Sequence, residues 1–171
     1  MKFVKIDRDN FDIFFKLHEE DFIYDERRDY EGAKAVLNTP QYHPNFVFNN
    51  NELVGYFCYW EFDDFVFVEH FAILKNLRNK GYGSKIISDF VKNTNKMIVL
   101  ECEPPNSEIG KMRIRFYNRH GFEKCDFEYM QPTYHKETEP IVLDFMAQRK
   151  LDKSEFEKYK NIIYNKVYNI K

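Results

Sequence analysis

Glycine and cysteine are both scarce in this sequence of 171 residues, which contains six glycines and three cysteines. Cys58, Cys102 and Cys125 lie far apart and form no CxxC pair, so we expect buried free thiols rather than disulfides or cysteine-bound zinc. The five histidines show no metal-ligand spacing such as HxxxH. These absences argue against a zinc enzyme and a disulfide-rich protein, and we expect no metal.

Long apolar runs are missing as well. No stretch approaches the roughly 20 apolar residues that a membrane helix needs. The opening segment MKFVKIDRDNF places charges where a signal peptide has its apolar core. The net charge of -2 gives no overall attraction to nucleic acid, so any anion site must be local. We therefore expect a cytoplasmic protein that binds neither membranes nor nucleic acid.

The chain is instead rich in aromatic and charged residues. Aromatic residues make up 18% of the sequence, with 18 Phe and 12 Tyr, and charged residues make up 32%. This composition indicates a globular protein and is far from that of disordered chains. The length fits a single domain over residues 1–171, and no linker or repeat interrupts it.

Hydrophobic periodicity predicts the order of the structural elements. A short strand FVKI precedes helical patterns in NFDIFFKLHEEDF and YEGAKAVLN, and two β-rich runs around an Asn-rich turn then form a hairpin. The strand DFVFVEHFAIL is followed by a helix over Ser84–Asn93, the strand MIVLECE, and a helix IGKMRIRFYNRH that ends at Gly121. Two closing strands precede a C-terminal helix with an Asp152–Glu155 capping box. This order predicts a mixed sheet with helices packed on it.

A basic loop with two glycines joins the strand DFVFVEHFAIL to the next helix. Gly81 and Gly83 lie in this loop between Arg78, Lys80 and Lys85. At the N-terminus of a helix, backbone N–H groups and the helix dipole favour an anion, and glycines let the backbone approach it closely. A diphosphate suits such a loop. The alternative is a surface turn in which Gly81 only allows a tight bend.

Two common phosphate-binding motifs do not fit this loop. The dinucleotide fingerprint GxGxxG requires a third glycine where the chain has Ile86. The P-loop motif GxxxxGK[ST] is absent, because Gly83 is followed by Ser84.

The loop and the segments around it resemble one known family. Arg78-Asn79-Lys80-Gly81-Tyr82-Gly83 is similar to the Q/R-x-x-G-x-G/A signature of the GNAT superfamily of N-acetyltransferases, which bind acetyl-coenzyme A. The run FAI, eight residues before the first glycine, resembles the family's strand, and FYNRHGFEKC resembles its later aromatic pair and Gly-Phe. The resemblance covers Val66 to Phe127 well and is weakest over the last forty or so residues.

This resemblance implies a fold, an activity and a coenzyme site. The fold would be a single mixed, mostly antiparallel twisted sheet with helices on both faces. The activity would be direct transfer of an acetyl group from acetyl-CoA to a primary amine of a small molecule or peptide, by a monomer or homodimer. Amides around Asn79–Ser84 would hold the pyrophosphate, and the end of the preceding strand would pair with the pantetheine arm. The residues implied for the coenzyme are Phe71, Ala72, Ile73, Arg78, Asn79, Lys80, Gly81, Tyr82, Gly83, Ser84 and Asn106.

Two residues are candidates for the proton transfers. Tyr117 matches the family's tyrosine near the thioester sulfur and would act as the acid, unless it only lines the core. Glu69 is the candidate base, because alternation along its strand places it on one face with Phe71 and Ile73 and His70 on the other. Desolvation among these apolar residues is expected to raise the pKa of Glu69. The alternative is a salt-bridged glutamate, with Glu101 and Glu103 as the next candidates for the base.

The acceptor pocket is expected between the N-terminal helices and the hairpin. The segment EEDFIYDERRDY could attract a cationic amine or could simply form a solvated helix face. The aromatic residues Tyr56, Phe57, Tyr59 and Trp60 could line the pocket or fill the core. Two other classes remain open: a catalytically inactive acyl-CoA sensor and, disfavoured by the acidic balance, an RNA-linked binding protein.

Overall fold

The computed structural model describes residues 1–170 of the chain. The strands are β1 (Lys2–Lys5), β2 (Tyr42–Asn49), β3 (Glu52–Glu61), β4 (Phe65–Ile73), β5 (Met97–Cys102), β6 (Glu123–Lys124), β7 (Tyr129–Gln131) and β8 (Ile141–Ala147). The helices are α1 (Phe11–Asp21), α2 (Tyr30–Val36), α3 (Tyr82–Asn93), α4 (Glu108–Arg119) and α5 (Lys153–Lys166). Two short 3-10 helices, Tyr24–Glu26 and Lys75–Leu77, lie in the connections.

The strands form a sheet with the order β1-β2-β3-β4-β5-β8-β6, and β7 also pairs with β8. The pairing of β4 with β5 is parallel, and the other pairings described here are antiparallel. The chain crosses from β4 to β5 through α3, as a parallel pair requires.

Helices cover both faces of this sheet. On one face, α1, α2 and α5 pack on a core that includes Tyr56 and Phe67. On the other face, α3 and α4 pack on a core that includes Phe57 and Val66. These neighbours along β3 and β4 enter different cores because successive side chains of a strand point to opposite faces.

The predicted fold class is confirmed: the sheet is mixed and mostly antiparallel, with helices on both faces. The capping box is present as expected, since the Asp152 side chain accepts from Glu155 N–H and the Glu155 side chain accepts from Asp152 N–H. The short strand β6 and both 3-10 helices were not predicted from the sequence. Within residues 1–170, the structure shows no helix with the length and hydropathy of a membrane span.

Candidate active site

The sheet opens between β4 and β5. Their parallel register joins Phe65–Val68 to Met97–Leu100 and stops there, although β4 continues to Ile73 and β5 to Cys102. Beyond this point β4 stays paired with β3, and β5 stays paired with β8. One edge of β4 from residue 69 to residue 73 therefore has no strand partner within the described chain.

The glycine loop leads from this open end of β4 into α3. Gly81 is the N-cap of α3, its φ is 83°, and no side chain caps the helix. The first hydrogen bond of the helix runs from the Lys85 N–H to the Gly81 carbonyl at 3.1 Å. The N–H groups of Tyr82, Gly83 and Ser84 precede that bond, so they are available to an anion.

The backbone favours glycine at 81, whereas the packing of the protein leaves room for a side chain at 83. A Cβ atom at Gly81 would meet no atom within 4 Å, but its positive φ, which Asn79 shares, disfavours other side chains. At Gly83, a Cβ atom would lie 3.6 Å from Phe116 and 3.7 Å from Ile73, which is ordinary contact. The packing of the protein itself therefore does not explain a glycine at 83.

The Arg78 side chain is held by the protein instead of being free for a phosphate. Its guanidinium donates to Asp21 Oδ1 at 2.6 Å and to the Ile73 carbonyl at 3.0 Å. Asp21 ends α1 and is largely buried, so this ion pair fixes the loop to that helix. The expectation that the charge of Arg78 adds to an anion site is not supported by this geometry.

The other residues predicted to contact the coenzyme lie at the end of β4, in the glycine loop and in the turn after β5. Phe71, Ala72 and Ile73 form the end of β4. Lys80 is exposed and makes no ion pair within residues 1–170. Asn106 is also exposed, in a turn between β5 and α4 where its N–H donates to the Pro104 carbonyl at 2.7 Å. Their coenzyme contacts stay predictions.

A cavity of about 100 Å³ lies in the opening between the two strands. Its walls are Val68, Glu69, His70 and Phe71 of β4, Glu101 and Cys102 of β5, Arg113 and Tyr117 of α4, and Phe22, Glu26, Glu103, Gln131, Tyr134 and Leu143 from other segments. The cavity is thus lined by Tyr117 and Glu69, the candidate acid and base, and by Glu101 and Glu103, the next candidates for the base.

Glu69 is a buried and fully bonded carboxylate. Its Oε1 accepts from Arg28 at 2.7 Å and from the Tyr134 hydroxyl at 2.9 Å, and its Oε2 accepts from Trp60 Nε1 at 3.0 Å. Burial opposes the charge, but Arg28, the hydrogen bonds and His70 outweigh it and hold the pKa of Glu69 well below its usual range. The predicted rise of this pKa is wrong, because the sequence did not show that Arg28 pairs with Glu69.

The face predicted for Glu69 is also wrong. A register shift opposite Cys58 and Tyr59 of β3 makes a β-bulge in β4, where Cys58 pairs with His70. As a result Glu69 and His70 both contact the core under α1 and α2, with His70 packed edge-on against His18. Phe71 packs in the opposite core. Simple alternation along the strand fails at the bulge.

Glu101 has the properties that were expected of the base. The Tyr129 hydroxyl donates to one of its oxygens, and the Tyr168 hydroxyl donates to the other at 2.8 Å. Burial is the largest influence and raises the pKa of Glu101 to about 7, although both hydrogen bonds favour the charged form. No cation pairs with this carboxylate within residues 1–170.

Tyr117 reaches the cavity from α4. Its ring packs between Phe116 and Phe122, and its hydroxyl makes no hydrogen bond within residues 1–170. Burial, followed by the nearby Cys102, raises the pKa of Tyr117, so the phenol keeps its proton at neutral pH. Its position fits a proton donor at the cavity.

The acidic segment of the sequence is mostly structural. Asp21 pairs with Arg78, Asp29 caps α2, and Glu20 pairs with Lys75 at 3.6 Å. Among the acidic side chains of this segment, Glu26 is the one that lines the cavity in the described chain. Burial raises its pKa, which shows that the charge of Glu26 is poorly solvated.

The aromatic group of β3 does not line the cavity. Tyr56, Phe57 and Trp60 are fully buried, and Trp60 contributes through its hydrogen bond to Glu69. The four side chains that sequence reasoning missed are Arg28, Tyr129, Tyr134 and Tyr168. Their contacts to the two glutamates span 28 to 67 positions of the sequence, and the only local signal was an arginine pair inside an acidic segment.

Metal-ligating side chains are not clustered in the part of the chain that the structure describes. Residues 1–170 contain no group of three or more His, Cys, Asp and Glu side chains that could hold a metal ion.

Comparisons with known proteins agree with the fold. The model of the acetyltransferase (GNAT) family matches residues 5–122. A solved structure from Bacteroides thetaiotaomicron, described as an acetyltransferase from the GNAT family, has a TM-score of 0.91 at 31% identity and covers 100% of both chains. Its description specifies no acceptor.

Two further relatives match less of the chain or at lower identity. YjbC of Bacillus subtilis (strain 168), named as an acetyltransferase, is 40% identical over 65 residues, which are 37% of this chain and 33% of that protein. The match therefore spans a third of that curated relative. NAA60 of Arabidopsis thaliana in complex with acetyl-CoA has a TM-score of 0.62 at 14% identity and covers 85% of this chain and 96% of that one. This likeness shows the fold alone.

Proposed function

Because the chain belongs to the GNAT family of acetyltransferases, we propose that it transfers an acetyl group from acetyl-CoA directly to a primary amine. The acceptor is the amine of a small molecule or peptide. One observation carries the proposal: β4 separates from β5 beyond Val68, the cavity there is lined by Glu101 and Tyr117, and the chain continues from the same end of β4 into the glycine loop and α3.

The residues at the opening fit the coenzyme. The N–H groups of Tyr82, Gly83 and Ser84 would bind its pyrophosphate, and the exposed Lys80 would add positive charge. A pyrophosphate bound close to the loop would leave no room for a side chain at 83. This explains the glycine there, which the packing of the protein does not explain. The free edge of β4 would pair with the amide groups of the pantetheine arm, as an adjacent strand does.

Arg78 has an indirect role in this proposal. Its ion pair with Asp21 and its hydrogen bond to the Ile73 carbonyl hold the loop in place at the end of β4. The phosphate would then be bound by backbone amides, whose positions this ion pair fixes.

Glu101 is the proposed base and Tyr117 the proposed acid. Acetyl-CoA supplies the thioester. Glu101 removes a proton from the acceptor ammonium, because a base is most effective when its pKa lies near the working pH. The neutral amine attacks the thioester carbonyl carbon, and Tyr117 donates its phenolic proton to the sulfur as the carbon–nitrogen bond forms and the carbon–sulfur bond breaks. The proton that the acetylated nitrogen then loses returns to Tyr117 through water. Glu69 stays ionised and paired with Arg28 throughout.

The state of Cys102 supports direct transfer without an acyl-enzyme. This thiol lines the cavity, and burial raises its pKa to about 12. At neutral pH the thiol therefore stays protonated and is a poor nucleophile.

A second function, an acyl-CoA sensor without transferase activity, would use the same opening. Both functions predict that acetyl-CoA binds, so the deciding measurement is transfer. Calorimetry first measures the binding of acetyl-CoA to the purified protein. The protein and acetyl-CoA are then mixed with each member of a panel of alkyl amines, amino sugars and short peptides. Release of free thiol together with an acetylated product supports the enzyme.

The Glu101→Gln variant is the matched control for this experiment. It is expected to keep its affinity for acetyl-CoA and to lose transfer. Binding without transfer to any amine of the panel would favour the sensor, and the absence of binding would contradict both functions.

A further inference from the structure

The C-terminal segment, residues 123–170, lies outside the part of the chain that the family model matches. It nevertheless supplies three tyrosines to the carboxylates of the cavity. Tyr129 and Tyr168 donate to the two oxygens of Glu101, and Tyr134 donates to Glu69 at 2.9 Å. The segment thus contributes to the cavity from the face of the sheet opposite α3 and α4.

We propose that Tyr129 and Tyr168 are positioning residues, which bind one oxygen each of Glu101 and thereby fix its orientation and its proton affinity for deprotonation of the acceptor amine. This inference rests on the proposed function, in which Glu101 is the base. It assigns to the C-terminal segment a role in catalysis, beyond completion of the sheet.

The segment is anchored well enough to position a side chain. Tyr129 belongs to β7, whose pairing with β8 fixes its register. Tyr168 follows α5, and the preceding Val167 carbonyl accepts from Arg28 at 2.8 Å. Arg28 also binds Glu69, so one guanidinium connects the C-terminal segment to the neighbouring strand of the cavity.

Two hydrogen bonds stabilise the charged form of Glu101, so this buried carboxyl group can lose its proton near neutral pH. Burial raises the pKa of Glu101 to about 7, and the charges of Glu69 on β4 and Glu26 in the segment after α1 raise it as well. The hydroxyls of Tyr129 and Tyr168 oppose that rise. The phenols keep their own protons, because burial and the glutamate raise the pKa of both. Without either donor, the charged form of Glu101 is stabilised less.

The test compares Tyr168→Phe and Tyr129→Phe with Tyr164→Phe. Tyr164 is the matched control, because its ring packs beside both tyrosines but its hydroxyl donates to the Met130 carbonyl and not to Glu101. Thermal unfolding first establishes that each variant folds. Since the two substitutions are in different elements, either variant is sufficient if the other does not fold.

The titration of Glu101 is read in two ways. Infrared difference spectra across pH follow the carbonyl stretch of the protonated carboxyl, which Glu101→Gln identifies by removing it. The pH dependence of kcat/KM follows the same group in catalysis. Both midpoints are expected to move to higher pH by about half a unit or more in Tyr168→Phe and Tyr129→Phe, and to stay in place in Tyr164→Phe. The KM for acetyl-CoA is expected not to change.

Midpoints that stay at the wild-type pH in both variants, or that move equally in the control, would overturn this inference and leave the proposed function standing. Failure of the proposed function has a different signature, because the wild-type protein would then transfer no acetyl group at any pH.

Discussion

Glu69 and Glu101 carry the same carboxyl group on neighbouring strands, but their surroundings move its pKa in opposite directions. Arg28 accounts for the difference, since it pairs with Glu69 and no cation of the described chain pairs with Glu101. Two acids whose pKa values are separated in this way can take different roles in one site. Glu69 holds a constant charge, whereas Glu101 can exchange a proton near neutral pH.

The Glu69→Gln substitution is expected to act mainly on stability. It leaves the buried Arg28 guanidinium without a counter-ion, which typically costs about 3 kcal/mol or more of the free energy of unfolding. Urea denaturation measures this loss. Glu61→Gln is the control, because Glu61 pairs with Lys96 at 2.8 Å near the surface and should lose less than about 1 kcal/mol. Equal, small losses in both variants would contradict the role given to the buried pair.

The Tyr117→Phe substitution is expected to act on turnover alone. The hydroxyl makes no hydrogen bond within residues 1–170, so its removal should leave folding and acetyl-CoA affinity nearly unchanged. Loss of a general acid lowers the turnover number by roughly 100-fold or more. Steady-state kinetics with calorimetry measure both quantities. Tyr59→Phe, in the same apolar core but away from the cavity, should have little effect. Turnover within a few-fold of the wild type in Tyr117→Phe would make Tyr117 structural.

The sequence predicted Tyr117 and misjudged Glu69 for identifiable reasons. Tyr117 lies four residues before Gly121-Phe122, so a local motif was enough to make it a candidate, and the structure places it at the cavity. Its catalytic role stays a prediction. The pKa of Glu69 depends on Arg28, which is 41 residues away, and no local pattern pairs the two. Glu101 was only a secondary candidate, because its environment is formed by tyrosines from the last third of the chain.

At the scale of single elements, local patterns predicted one segment best. It runs from strand β4 through the glycine loop to helix α3. Apolar runs, two glycines and helical spacing lie within one short stretch of sequence, so each boundary has its own local signal. The bulge in β4 has no such signal, because it arises from the register that β4 adopts against β3. Long-range pairing decides which side chains face the cavity.

The Gly81→Val substitution tests the loop as an anion site. A β-branched residue at a φ of 83° is strained whatever the available space, so some loss of stability is expected. Gly121→Val is the matched control, since Gly121 has the same φ of 83° and a Cβ atom there would likewise meet no atom within 4 Å.

Both variants should unfold at similar urea concentrations. Only Gly81→Val should lose affinity for acetyl-CoA, by about tenfold or more, which corresponds to about 1.4 kcal/mol of binding free energy. Calorimetry measures that affinity. An unchanged affinity in Gly81→Val would remove the pyrophosphate from this loop.

At the scale of the whole molecule, the two cores are joined through one opening in the sheet. Tyr117 approaches the cavity from the core under α3 and α4, and Glu101 is bonded to tyrosines in the core under α1, α2 and α5. The proposed acid and base therefore act from opposite faces, which suits a coenzyme that approaches from one face and an acceptor from the other.

The stability of the whole molecule should carry the signature of Glu101. Its pKa is raised from the ordinary range of a glutamate to about 7, so the folded state binds a proton more tightly than the unfolded chain. The contribution of such a group to the free energy of unfolding is complete below its pKa in the unfolded chain. It is lost as the pH rises through its pKa in the folded protein. Between about pH 4 and pH 8, the free energy of unfolding of the wild type should therefore fall by up to about 3 kcal/mol relative to Glu101→Gln.

Urea denaturation of both proteins across this pH range measures the difference. A constant difference between the two proteins would show that Glu101 does not titrate in the folded state near neutral pH.

The opening between β4 and β5 also bears on aggregation. An unpaired strand edge usually offers a template to any other extended chain, and proteins protect such edges with charges, bulges or covering segments. Here the free edge of β4 lies inside the sheet, because β5 and β8 continue the sheet beyond it. A second polypeptide cannot extend the sheet at this position as it could at an outer edge. The interior position of the free edge thus keeps foreign strands out, and the fold needs no separate protection there.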